Sequence, residues 1–206
     1  MSRVRVKICG ITTPEDALVA ARAGTDAIGL VFFPPSPRYV QPERARAIIE
    51  VLPAFVNRVA LFVNEQASAV ADILERVPVD TLQFHGDETP SYCRQFGLPY
   101  VKSVGVRNRR DIEVAAETYD DAAALLLDQF DRERWGGTGE QFDWALIPGE
   151  RSMPIILAGG LGVANVADAL RQVRPYGVDV SGGVESARGV KDPAKIEEFL
   201  RGVMSV

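Results

Sequence analysis

The sequence predicts an α/β chain closed into a single (β/α)8 barrel, the TIM-barrel architecture. Three observations predict it. Eight short β-branched or apolar runs recur along the chain, amphipathic stretches with helix-start residues separate them, and no linker, low-complexity segment or charge block divides the sequence. Spread over 206 residues, eight repeats leave about 26 residues each, close to the ~30 needed for a strand, a crossover helix and two turns. Such alternation specifies a parallel sheet, open or closed, and eight units favour closure. The expected organisation is therefore one barrel domain over residues 1–206, with little chain left for a second.

Taken in order, the first strand falls at 4–9, and Thr13, Pro14 and Glu15 then open a helix, with threonine able to cap it and proline at home in its first turn. The second strand, 27–33, is followed by Gln41 and Pro42, and the third lies at 58–63. The fourth, 81–85, precedes Asp87, Glu88 and Thr89, another helix start. Strands five to seven fall at 101–106, 124–128 and 154–158. The eighth, 178–181, precedes Asp192 and Pro193, which open the last helix. The spacing of the strand starts echoes between the two halves, as a duplicated half-barrel would.

Composition excludes several classes. With 47% hydrophobic and 25% charged residues the chain is neither disordered nor fibrous. No stretch approaches ~18 uninterrupted apolar residues, so no membrane span is expected. The first ten residues lack the apolar run of a secretory signal, and the expectation is a cytoplasmic protein. Lys+Arg 23 against Asp+Glu 28 gives a net charge of −5, which opposes general affinity for nucleic acid or an anionic membrane. Two cysteines and one histidine, His85, make neither a disulfide scaffold nor a spaced zinc site, so no bound metal is expected. Any anionic ligand must be gripped locally. Monomer and homodimer both stay open.

Side chains alternate faces along a strand, so parity says where polar residues point. Val4, Val6 and Ile8 share the face meant for the helices, which turns Arg5, Lys7 and Cys9 into the barrel. The same rule turns Gln83, His85, Leu126, Asp128, Asp179 and Ser181 inward. Buried charges need partners, and closure makes strands one and eight neighbours. Lys7 or Arg5 is therefore expected to pair with Asp179 in a structural role. Cys9 and Asp128 differ, because each ends its strand on the carboxyl side, where barrel active sites are built. Cys93 lies in a helix after Pro90 and is assigned to packing.

An ordered set of motifs then carries a resemblance. It comprises 7–12, beginning Lys7, Ile8, Cys9, Gly10; 29–40, with Pro34, Pro35, Pro37 and Arg38; 83–88; Gly136, Gly137, Thr138 and Gly139 followed by Phe142, Asp143 and Trp144; 158–161 with Asn165; and 179–185. In this order, from strand one to strand eight, they resemble the phosphoribosylanthranilate isomerases of tryptophan biosynthesis. The resemblance implies an Amadori rearrangement, without a cofactor, of N-(5-phospho-β-D-ribosyl)anthranilate to 1-(2-carboxyphenylamino)-1-deoxy-D-ribulose 5-phosphate. By match to the family pattern, Asp128 is the acid that protonates the ring oxygen and Cys9 the base that removes the proton on ribose C2.

A thiol with a pKa near ~8.5 is only a few per cent ionised at neutrality, and Lys7, two residues back on the same face, is expected to raise that fraction. Asp128, as an acid, must hold its proton through burial or a nearby negative charge. His85 is expected to hydrogen-bond under the site rather than act as the base. For the phosphate, Gly159 and Gly160 follow strand seven and Gly182 and Gly183 follow strand eight, where barrels bind phosphate with backbone N–H groups and the amino end of a short extra helix. For the carboxylate, Arg38 sits on a proline-stiffened loop and can supply two parallel hydrogen bonds. Residues 129–139 read equally as a lid that closes over the intermediate or as a floppy connection. Two details depart from the family pattern: the charged stretch 131–134 enlarges the lid tip, and Ser181, Gly182, Gly183 replace two serines and a glycine.

Two other readings compete. The sister Amadori isomerase of histidine biosynthesis, or an enzyme serving both pathways, shares barrel, phosphate loops and sugar chemistry, but that chemistry is associated with two carboxylates, and a cysteine ending strand one argues against it. A silent phosphate-ligand sensor would keep the fold without activity.

Overall fold

A computed structural model describes residues 3–129 and 142–206. Its eight parallel strands close into a barrel in sequence order: β1 (Arg5–Cys9), β2 (Ala27–Val31), β3 (Asn57–Phe62), β4 (Thr81–Phe84), β5 (Tyr100–Val106), β6 (Ala124–Gln129), β7 (Ile155–Leu157) and β8 (Gly177–Val180). Each strand lies within one or two residues of its expected run. The helices α1 (Pro14–Ala23), α2 (Pro42–Glu50), α3 (Ala67–Arg76), α4 (Pro90–Arg94), α5 (Arg109–Thr118), α6 (Val166–Val173) and α7 (Pro193–Met204) wrap the outside. The expected caps are in use: Thr13 accepts from the Asp16 N–H, Thr89 from Tyr92 and Asp192 from Ala194. No helix among the described residues is long and apolar enough to cross a membrane.

Parity divides the core as read. Val6, Ile8, Ile28, Leu30, Ala60, Leu82, Leu125, Leu127, Val178 and Val180 face outward and form the main core with the helices. Each large side chain taken from water there contributes about 1.5–3 kcal/mol. Phe84 anchors an aromatic cluster in this layer, stacking on Phe96 at 5.9 Å and meeting the edges of Tyr92 and Tyr100. Inside the barrel lie two small apolar groups, Cys9 with Val31, Leu61 and Val63, and Val101 with Ala124, Leu126 and Ala158. The other inward positions are polar, among them Lys7, Gln83 and Asp179, all buried.

Closure pairs Lys7 with Asp179 in register, and Lys7 Nζ donates to Asp179 Oδ1 at 3.0 Å. Arg5, the other candidate, stays at the amino end with Asp26, 3.3 Å away.

Three features differ from the alternation read in the sequence. Between β6 and β7 the described residues hold only a 3-10 turn, Trp144–Leu146. After β8 there is no short extra helix: 181–184 is turn and bend, and the chain runs on into an antiparallel hairpin, β9 (Glu185–Ala187) and β10 (Val190–Lys191). The reason is packing, since a Cβ on Gly183 would stand 2.0 Å from the Leu161 carbonyl oxygen. The backbone after β8 is thus pressed onto the loop after β7, bridging Gly183 to Gly162 rather than coiling. The lid expected at 129–139 lies outside the described residues except for Gln129, as do the charged stretch 131–134 and Gly136, Gly137, Thr138 and Gly139.

Candidate active site

At the carboxyl end of the strands a cavity of about 610 Å³ is lined by Arg38, Asp128, Gly159, Gly160, Gly182 and Gly183, together with Asn165, Asp179, Ser181 and Glu185. Six of the eight residues expected at the site therefore share one cavity. The other two adjoin it: His85 approaches Asp128, and Cys9 is linked through Lys7 to Asp179.

Asp128 stands near the end of β6, where Leu126 and Asp128 point inward and Leu125 and Leu127 are held in the outer core. Its Oδ1 accepts from the Gln129 N–H at 2.8 Å, and its Oδ2 lies 3.5 Å from His85 Nε2. His85 Nδ1 is 2.8 Å from Ser103 Oγ and 3.2 Å from Gln83 Nε2. The ring thus bridges Ser103 and Gln83 through Nδ1 and approaches Asp128 through Nε2. Below the loop carrying His85, Lys102 Nζ donates to the Phe84 carbonyl at 3.3 Å while Glu88 accepts from the Gly86 N–H at 2.9 Å, so a buried pair fixes the end of β4.

Cys9 ends β1 and is 6% exposed. Its thiol and the Lys7 ammonium both crowd Gly29, where a Cβ would come 2.8 Å from Sγ and 3.0 Å from Nζ. Lys7 acts on this thiol in the expected direction, but burial outweighs it. Burial pushes the Cys9 thiol up, Lys7 opposes that, and the negative charge of Asp179 adds to the rise. Lys7 stays firmly charged: burial alone would lower its pKa, but Asp179 and Cys9 outweigh burial and raise it. Cys93, by contrast, is buried in α4 with Sγ 3.8 Å from the Glu88 carbonyl, and burial pushes its thiol up to about 12.

Arg38 reaches the cavity by passing over Gly10, where a Cβ would collide with Arg38 Cδ at 2.4 Å; Gly10 also has a φ of 75°. A side chain at that position would displace the arginine. The guanidinium is buried and already held on one edge by Glu185, with Nε to Oε1 at 2.7 Å and Nη2 to Oε2 at 2.8 Å. Sequence reasoning missed both Glu185 and its second partner, Lys191, whose Nζ lies 2.8 Å from Oε1. Glu185 lay at the end of a quoted motif, but nothing local marks the hairpin that turns it inward.

The glycine pairs lie where expected. Gly159 and Gly160 have φ of 73° and 66°, and Asn165, just before α6, ties their loop by accepting from the Gly162 N–H and donating to the Gly160 carbonyl, each at 2.9 Å. The amino end of α6 thus opens on the same cavity, a favourable place for an anion.

Fold and site together define a class: a (β/α)8 barrel with a glycine-rich loop after each of its last two strands and a thiol, a carboxyl and an arginine at its carboxyl mouth. A family profile described as N-(5'phosphoribosyl)anthranilate (PRA) isomerase matches residues 6–202, and the chain belongs to that family. The N-(5'-phosphoribosyl)anthranilate isomerase of Pseudomonas putida (strain W619) is 57% identical over 203 residues, 98% of each chain. Phosphoribosyl anthranilate isomerase from Thermotoga maritima superimposes with a TM-score of 0.91 at 43% identity, covering 98% of this chain and 100% of that one. A second such isomerase, in complex with reduced 1-(o-carboxyphenylamino)-1-deoxyribulose 5-phosphate, gives 0.83 at 40% identity with the same coverage. A third structure, of mutually generated monomers of the dimeric phosphoribosylanthranilate isomerase from Thermotoga maritima, gives 0.85 at 39%, again covering 98% and 100%.

The geometry around Cys9 yields a signed prediction. Asp179→Asn removes the charge that raises the thiol and releases Lys7 to pair with a thiolate, so the Cys9 pKa falls. In a Cys93→Ala background, ultraviolet absorbance of the thiolate should titrate at lower pH in the Asp179→Asn protein than in its parent. An unchanged or higher midpoint contradicts the assigned cause.

Proposed function

We propose that the chain rearranges N-(5-phosphoribosyl)anthranilate to 1-(2-carboxyphenylamino)-1-deoxyribulose 5-phosphate, the isomerase step of tryptophan biosynthesis. The observation that carries this reading is the sharing of one cavity by Asp128, Arg38 and both glycine pairs, with Cys9 linked to it through Lys7 and Asp179. The same cavity offers an acid, a carboxylate grip and a phosphate cradle, and the family membership supports the substrate.

In the proposed sequence the phosphate lies against the backbone of Gly159, Gly160, Gly182 and Gly183 and near the amino end of α6. The anthranilate carboxylate meets the guanidinium of Arg38. The Asp128 carboxyl group gives its proton to the furanose oxygen, the C1–O bond breaks, and the nitrogen lone pair forms the Schiff base. His85 orients Asp128 from below. The Cys9 thiolate then takes the proton from C2, and the C2–H electron pair moves to quench the iminium as an enolamine, which tautomerises to the ketone. Atoms and electrons balance within the one substrate, so no redox partner is needed. Since burial raises the Cys9 thiol, the reactive form becomes commoner as pH rises, and kcat/KM should climb on the alkaline side.

Loss of substrate fluorescence measures this directly. Cys9→Ala and Asp128→Asn should each lower kcat by at least about 100-fold with little change in KM, and the alkaline rise should disappear in Cys9→Ala. Full kcat in both variants contradicts the roles. Turnover of only the histidine-pathway aminoaldose, or binding without turnover, would favour the competing readings. Arg38→Lys keeps the charge but loses the fork, so it should raise KM about 10-fold or more with kcat less affected; an unchanged KM removes Arg38 from the carboxylate site.

For assembly we infer a homodimer through the amino end of the barrel. Phe55 is fully exposed and has a φ of 71° beside a cavity of about 470 Å³ lined by Val59, Val101, Ala124 and Ile156. A phenylalanine held wholly in water at a strained backbone position fits a side chain that inserts into the matching cavity of a second copy. Light scattering should give twice the chain mass for the parent and one chain mass for Phe55→Glu. A monomeric parent overturns the inference.

A further inference from the structure

The cavity has one feature that the reaction as written does not use: a buried carboxylate against the very arginine proposed to bind a carboxylate. Glu185 engages Arg38 side-on through Nε and Nη2. That takes two of the five guanidinium N–H groups and leaves those of Nη1 and the second on Nη2. A Cβ on Gly182 would stand 3.5 Å from Nη2, so this end of the guanidinium lies against the loop expected to hold phosphate. The other side of the arginine is fixed by its passage over Gly10, next to Cys9.

Glu185 is itself pinned. Lys191 Nζ, wholly buried, lies 2.8 Å from Oε1 and donates to the Ser181 carbonyl at 3.1 Å. From α7, Lys195 Nζ donates to the Glu185 carbonyl at 2.7 Å. The hairpin β9–β10 therefore exists around an internal ion cluster, and its turn is tied to the start of the barrel by Thr12 Oγ1 donating to the Gly189 carbonyl at 3.1 Å.

The charge balance points the same way. Arg38, Glu185 and Lys191 sum to one positive charge in a buried group, while the neighbouring Lys7 and Asp179 cancel. A buried excess charge is costly, and one ligand carboxylate neutralises it. A hydrophobic residue in place of Glu185 would leave two unpaired cations side by side; a second acid would remove the attraction for the ligand.

We propose that Glu185 is a positioning residue: it holds Arg38 side-on so that the end-on edge of the guanidinium faces the carboxylate of an aromatic-acid aminosugar phosphate, with Lys191 as the internal counter-ion. This rests on the reading of Arg38 as the carboxylate site. It also makes the distance between the carboxylate and phosphate grips a property of the hairpin, because Lys191 ties Glu185 to Ser181 at the phosphate loop.

Calorimetric binding to the intact protein tests this without requiring turnover. The probes are reduced 1-(o-carboxyphenylamino)-1-deoxyribulose 5-phosphate, which carries both anions, and ribulose 5-phosphate, which lacks the carboxylate. Glu185→Gln should weaken the first about 10-fold or more and the second less than about 2-fold. In an Arg38→Ala background it should cause no further loss, because a positioning effect vanishes with the group positioned. Glu185→Asp, which keeps the charge but shortens the reach, should show the same selective pattern to a smaller degree and stands in if the glutamine variant does not fold. Equal losses for both ligands would make Glu185 a general support of the loop and overturn the proposal, as would no loss or full additivity with Arg38→Ala. A parent protein that binds both probes but does not turn over the aminoaldose rejects the proposed function while the binding pattern still decides this inference; one that binds neither rejects both.

Discussion

Closure of the sheet between β1 and β8 is the constraint on which the site depends. It brings residue 7 opposite residue 179 in register and places a lysine and an aspartate, 172 positions apart, at hydrogen-bonding distance inside the barrel. Neither charge is tolerable there without the other. Asp179 of this pair then lines the carboxyl-end cavity. Cys9, two residues beyond Lys7, feels both charges with opposite signs, the lysine lowering and the aspartate raising its pKa, and burial prevails over them.

A second ion cluster, one layer above, has a different purpose. Arg38, Glu185 and Lys191 come from the loops after β2 and β8 and are not demanded by closure. They carry one excess positive charge where the lower pair carries none. On the proposed reading, an acidic protein with a net charge of −5 holds a doubly anionic ligand through positive potential that is local and buried, supplied by this cluster and by backbone dipoles at the start of α6. Long-range attraction contributes little, and the grip depends on geometry.

How much of this could be read beforehand follows from the range of each interaction. Strand and helix periods are local, and the eight runs fell within one or two residues of the strands because period-two alternation is written in neighbouring residues. The inward set, including Asp128 and Asp179, follows from the same parity once the apolar face is known. The hairpin after β8 was not legible: Glu185–Ala187 and Val190–Lys191 are too short and too polar to register as strands. Its existence depends on Gly183 pressing against Leu161, a contact between loops that only the barrel brings together.

By itself the sequence determined the number, order and facing of the strands, the capped helix starts and the residue types at the carboxyl ends, since each is set by side chains within a few positions of one another. Only the tertiary structure decided that Lys7 rather than Arg5 meets Asp179, that burial leaves the Cys9 thiol raised despite Lys7, and that Arg38 arrives already held by a glutamate. Those outcomes depend on which partner and how much burial each charge finds across the barrel. Such quantities are absent from any local stretch of chain, because electrostatic free energy depends on distances that folding alone creates.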